Sequence, residues 1–100
     1  MLDGYLQQLE AEADNHGLRL AVARLAMQVG QSELSIHEYK QLLKSGDVTD
    51  QIIEDILDLI QDTQDRVLLM RLHRLLGDCY TQQNRYREAM DAYSWTFKAS

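Results

Sequence analysis

Catalysis by this chain would need a nucleophile beside a base, a carboxylate pair in an apolar setting, or metal ligands at helical spacing. The histidines His16, His37 and His73 lie far apart, with no His-x-x-x-His or Glu-x-x-His pair to aim two ligands from one helical turn. They read as surface or packing residues. Cys79 shares an apolar face with Leu75, Leu76 and Tyr80 and reads as a small buried hydrophobe rather than a reactive thiol. Gly30 and Gly77 are isolated glycines, unrelated to any phosphate-cradling loop. No catalysis, cofactor or metal is expected, so the chemistry left to the chain is recognition through charge and apolar surface.

The charge is uneven. Over 100 residues, 10 Lys and Arg face 16 Asp and Glu, a net charge of −6 that disfavours nucleic-acid backbones and anionic membrane surfaces. Asp47, Asp50, Glu54, Asp55, Asp58, Asp62 and Asp65 fall in a segment without Lys or Arg, whereas Arg66, Arg71, Arg74, Arg85, Arg87 and Lys98 follow it. Two readings stand: a solvated acidic face, or an acidic helix that lies near an arginine-bearing groove and competes with an acidic ligand. A single cysteine permits no intramolecular disulfide and points to a reducing compartment, the cytoplasm. No signal peptide or membrane span is expected, because Arg19 and Arg24 interrupt the apolar run from Leu18 to Met27. The length bounds the chain to one small domain.

Proline is absent and period-two alternation is scarce, so the expected fold class is all-α, about six helices joined by tight turns, with antiparallel neighbours. Leu2, Tyr5, Leu6 and Leu9 form the first stripe, ended by a turn at Asn15, His16 and Gly17. The second helix runs from Leu18 to Val29 with Ala21, Val22, Leu25, Ala26 and Val29 inward, and Gly30 stops it in a left-handed cap. Ser32 opens the third, which carries Leu34, Ile36, Tyr39, Leu42 and Leu43 before Ser45 and Gly46. Thr49 is the expected N-cap of an acidic fourth helix bearing Ile52, Ile53, Ile56, Leu57 and Ile60. The fifth spans Arg66 to Gln82, Asn84 makes a left-handed turn, and the sixth spans Arg85 to Lys98 with Tyr86, Ala89, Met90, Tyr93 and Phe97 as its stripe. Met27, Met70 and Met90 read as core.

Tyr5 and Tyr39 are 34 residues apart, as are Leu2 and Ile36, and Leu9 and Leu43. Tyr93 follows Tyr39 by 54, which is 34 plus a 20-residue helix. In the last third, Leu76-Gly77-x-x-Tyr80 and then Tyr86-x-x-Ala89-x-x-x-Tyr93 resemble the tetratricopeptide repeat. Gly77 and Ala89 are small where two helices cross closely; Leu76, Tyr80, Tyr86 and Tyr93 fill the space around them. His73 stands where the family usually carries Trp, and Thr96 where it prefers alanine. An earlier, degenerate copy keeps Ala23, Ala26, Gly30, Ser35 and Tyr39. The resemblance divides the chain into a closing helix of a partial repeat (1–15), a degenerate repeat (16–46), an extra acidic helix (47–65) and a well-matched repeat (66–98).

The resemblance implies a non-catalytic scaffold that presents a groove, lined by the first helix of each pair, to a peptide or folded protein, acidic if the arginines choose it. By position the groove residues would be Arg71, Arg74, Asp78 and Thr81 in one repeat and Leu20, Arg24, Met27 and Gln28 in the other. The terminal-carboxylate clamp of the chaperone-tail subset is not supported, since Leu20 and Arg24 occupy its places. Trp95 lies nine positions past Tyr86, opposite that helix's stripe, where a lone monomer would expose it or half-cover it as a rim residue packed on Asp91 and Ala92. With two repeats and part of a third, short of the three that helical stacks need, the alternative is a self-assembly module: Trp95 and Phe97 pair with a copy in a homodimer, or a larger repeat protein contains the chain.

Overall fold

The computed structural model describes residues 1–98, which form six α-helices and no strand: α1 (Leu2–Ala11), α2 (His16–Gln28), α3 (Ser32–Ser45), α4 (Thr49–Asp62), α5 (Arg66–Gln82) and α6 (Tyr86–Lys98). The all-α expectation and all six helices are present. The chain divides into two compact units, Met1–Val48 and Thr49–Ser100.

In the first unit α2 packs against both α1 and α3. Leu9, Leu18 and Val22 form a buried cluster with Leu2 and Leu6 against it. Leu20, Ala23 and Ala26 of α2 and Ile36, Tyr39 and Leu42 of α3 are buried as well. Two corrections arise here. His16 begins α2 instead of closing a turn, because the Asn15 carboxamide oxygen accepts from the Leu18 N–H at 3.0 Å and caps it. Ser32 opens α3 as expected, preceded by Gln31 at the cap position without a side-chain hydrogen bond. The inward face of α2 is also turned: Ala21 and Val29 are exposed, and Leu18, Val22 and Ala26 face in.

Polar groups join α2 to α3. The buried Ser35 hydroxyl donates to the Ala23 carbonyl at 2.6 Å. Arg19 Nη1 lies 2.7 Å from Glu38 Oε2, and the Glu38 side chain is only 7% exposed. Gly46 closes α3 at φ 75°, and Gly30 follows α2 at φ 84°, both in the left-handed region expected of them.

In the second unit α5 packs against α4 and α6. Ile52, Ile53 and Ile56 of α4 are buried, as are Leu72, Leu75, Leu76, Gly77, Cys79 and Tyr80 of α5. Thr49 is the first residue of α4 rather than its cap. Its hydroxyl donates to Gln82, and Gln83 Nε2 donates to Asp50 Oδ1 at 2.7 Å, so the start of α4 is pinned to the end of α5 and the two run antiparallel. Asp65 caps α5, accepting from the Val67 and Leu68 N–H groups at 3.0 and 3.3 Å. Asn84, at φ 62°, makes the left-handed turn into α6.

The same plan, a central helix flanked by two others, thus occurs in both units. Ala23 and Gly77, Ser35 and Ala89, and Tyr39 and Tyr93 are each 54 residues apart and hold matching places in it. The acidic α4 therefore stands to α5 as α1 stands to α2.

The face of α6 differs from the expected one. Ala89 and Ala92 are buried, while Tyr86, Met90 and Phe97 are 59%, 68% and 79% exposed. The cause is the close approach to α5: small side chains turn inward, and the large ones flank them. Trp95 is half-buried on the opposite edge of the alanine face, stacked on His73, so full exposure is corrected to a half-covered rim position.

Candidate functional site

At the centre of the α5–α6 hairpin, a Cβ on Gly77 would lie 2.5 Å from Tyr93 Cε1 and 2.7 Å from two other ring atoms. The ring occupies the space that a side chain would need, and its hydroxyl donates to Asp78. Burial, and then the Asp78 carboxylate, raise the Tyr93 phenol above its ordinary value, so it stays a donor.

The solvent side of α5 carries Arg71, Arg74, Asp78 and Thr81 at helical spacing. Arg71 and Arg74 are exposed. Asp78 is half-buried and engaged by Tyr93, and the Thr81 hydroxyl donates to the Gly77 carbonyl at 2.8 Å. The stripe thus carries two exposed cations and two groups bonded within the hairpin. The acidic α4 is the neighbour of α5 on its other flank, and Glu54 and Asp58 are exposed on it.

On α2, Arg24 and Gln28 are exposed and line an open hollow of about 290 Å³ with Met1, Tyr5, Ala21 and Leu25. Met27 is half-buried. Leu20 is corrected: at 6% exposure it belongs to the core and offers nothing to a ligand. Burial follows the phase of α2, in which Leu20 and Ala23 lie three apart on the inward side. The apolar spacing places Tyr5 and Leu25 in core stripes, whereas Tyr5 is exposed and Leu25 half-buried at the hollow. The signal was present in the Met1/Tyr5 spacing of one full turn beside an Arg24/Gln28 pair of the same spacing.

His73 and Trp95 join α5 to α6 with ring centroids 4.2 Å apart and planes 11° apart. His73 Nδ1 is buried with no hydrogen-bond partner, and burial lowers the imidazole below its usual 6.5. The Cys79 thiol is buried and pushed up to about 12, by burial first and by the Asp78 charge second. His16 Nδ1 lies 3.1 Å from Asp47 Oδ2, remote in sequence from the other two histidines. Among the described residues, no group of three or more His, Cys, Asp or Glu is placed to hold a metal ion, and no helix is long and apolar enough to cross a membrane.

Compared with known proteins, the chain matches no family model, no curated protein and no solved structure.

Proposed function

We propose that the chain is a non-catalytic interaction scaffold of tetratricopeptide type, working in the cytoplasm, that offers the outward faces of α2 and α5 to a peptide or protein partner of acidic character. The observation that carries this reading is the seating of Tyr93 on Gly77, with Arg71 and Arg74 left on the outward side of the same helix. That close crossing is the physical content of the Leu76-Gly77-x-x-Tyr80 motif. Two guanidinium groups one turn apart favour carboxylates through charge-assisted hydrogen bonds. An array of acidic and neutral peptides probed with the chain and with an Arg71→Glu/Arg74→Glu variant tests it. Binding to acidic peptides that the reversal abolishes supports the scaffold; equal binding by both proteins removes these arginines from the site.

A second reading, self-assembly, is favoured by the exposure of Tyr86, Met90 and Phe97 on one edge of α6. Trp95 stacks on His73 and is half-buried, whereas Phe97 is 79% exposed, so Phe97 offers this reading more open surface.

A further inference from the structure

Two apolar features, one in each unit, have complementary shapes. Tyr86, Met90 and Phe97 recur at four and seven residues along α6 and make a ridge of large side chains. The hollow between α1 and α2 has an apolar floor of Ala21 and Leu25, a wall of Tyr5 and Met1, and space for one or two such side chains. Charges flank the ridge and lie at and beyond the rim of the hollow in matching order. Arg87 and Asp91 lie one turn apart along the solvent edge of the ridge, both exposed. On the receiving side Arg24 rims the hollow, and Glu12 lies outside it, at the C-cap of α1, the end opposite Met1.

From this juxtaposition we infer that the chain associates head to tail, with the α6 ridge of one copy seated in the α1–α2 hollow of another. The charge order fixes the direction. Asp91 meets Arg24 and Arg87 meets Glu12 only when the incoming α6 runs antiparallel to α1, which brings Phe97 toward Met1 and Met90 beside Tyr5 and Leu25. Glu12 already accepts from Gln8 Nε2 at 3.1 Å and from Asn15 Nδ2 at 3.5 Å, which holds its carboxylate at the end of α1. Such a contact is heterologous: the donating and receiving surfaces differ, so each copy keeps one of each free, and the assembly grows as a chain or closes as a ring. This inference rests on the self-assembly reading and adds the surface that receives α6.

Complementation tests it. Ala21→Arg fills the hollow with a helix-compatible side chain, and Met90→Glu/Phe97→Glu removes the ridge; all three positions are exposed, and circular dichroism checks that both variants remain helical. Sedimentation is run at about 1 mM, where contacts at the weak end of specific interfaces are populated. The expected result is oligomers for the wild type, monomers for each variant alone, and a dimer, no larger, when the two variants are mixed. A second variant reads the charges: Arg24→Asp replaces one attractive pair by a repulsive one and weakens association at least about tenfold, and Arg24→Asp/Asp91→Arg restores it. If the wild type associates and Ala21→Arg still does, the hollow is not the receiver, and the head-to-tail inference fails while self-assembly stands. A monomeric wild type at that concentration overturns both and leaves the peptide scaffold to its own test.

Discussion

The imidazole of His73 lies flat against the indole of Trp95, 4.2 Å between centroids, with its Nδ1 enclosed and unpaired. Protonation would add a charge and a donor where neither has a partner, and burial accordingly lowers the His73 pKa from 6.5. A histidine whose folded pKa is depressed stabilises the fold fully above the unfolded value. That contribution fades as the pH falls from 6.5 through the folded value. Thermal melts at pH 7.5 and 5.5 should show a larger drop for wild type than for His73→Phe, which keeps a stacked ring and cannot titrate. Parallel pH profiles for the two proteins would remove His73 as the source of the drop.

Gly77→Ala should destabilise the second unit despite the better helix propensity of alanine, worth about 1 kcal/mol. The added Cβ meets the Tyr93 ring at 2.5 Å, and that ring is held at its far end by Asp78, so it cannot swing away cheaply. Overpacking of this kind costs about 1–3 kcal/mol, and the net loss is read from urea midpoints. A midpoint that rises on substitution would show that the ring yields freely.

Arg19→Met leaves Glu38 charged and buried without its partner, which should cost about 2–4 kcal/mol, somewhat below the range for fully enclosed pairs because Arg19 retains some solvent. Arg19→Met/Glu38→Leu should recover much of that loss, since the desolvated charge is then gone. Denaturant titration of the single and double variants closes the cycle; a double variant worse than the sum of its singles would contradict it.

With its thiol pushed up to about 12 and its side chain enclosed, Cys79 should resist an aromatic disulfide reagent at pH 8 in the folded chain and react at once in denaturant. Reaction in native buffer at the rate of a free thiol would mean that the α5 core opens readily.

Neutralising the acidic neighbour of α5 with Asp55→Asn/Asp58→Asn should tighten the binding of an acidic peptide to Arg71 and Arg74 several-fold, with the gain shrinking as salt is added. Unchanged affinity would leave α4 as a solvated face.

Helix number, boundaries within a few residues and the three left-handed turns at Gly30, Gly46 and Asn84 were legible in the sequence, because glycine, asparagine and apolar spacing act locally. The phase of α6 was not. Both edges of that helix carry large apolar residues, and only the approach of Gly77 on another helix selects the alanine edge for burial. Tyr86 and Trp95 are half a turn apart in phase and flank the buried alanine face, one on each side. Leu20 was misplaced for a related reason: positional transfer onto α2 ignores how that helix is rotated in its own unit. The Arg19–Glu38 pair was invisible because two charges 19 residues apart are joined only once α2 and α3 pack.

The 54-residue offset that links Tyr39 with Tyr93 also dictates where the polypeptide tolerates surgery. Editing in increments of a whole triplet leaves every middle rod with two companions. Trimming by 34 strips one of them away and lays its greasy flank bare.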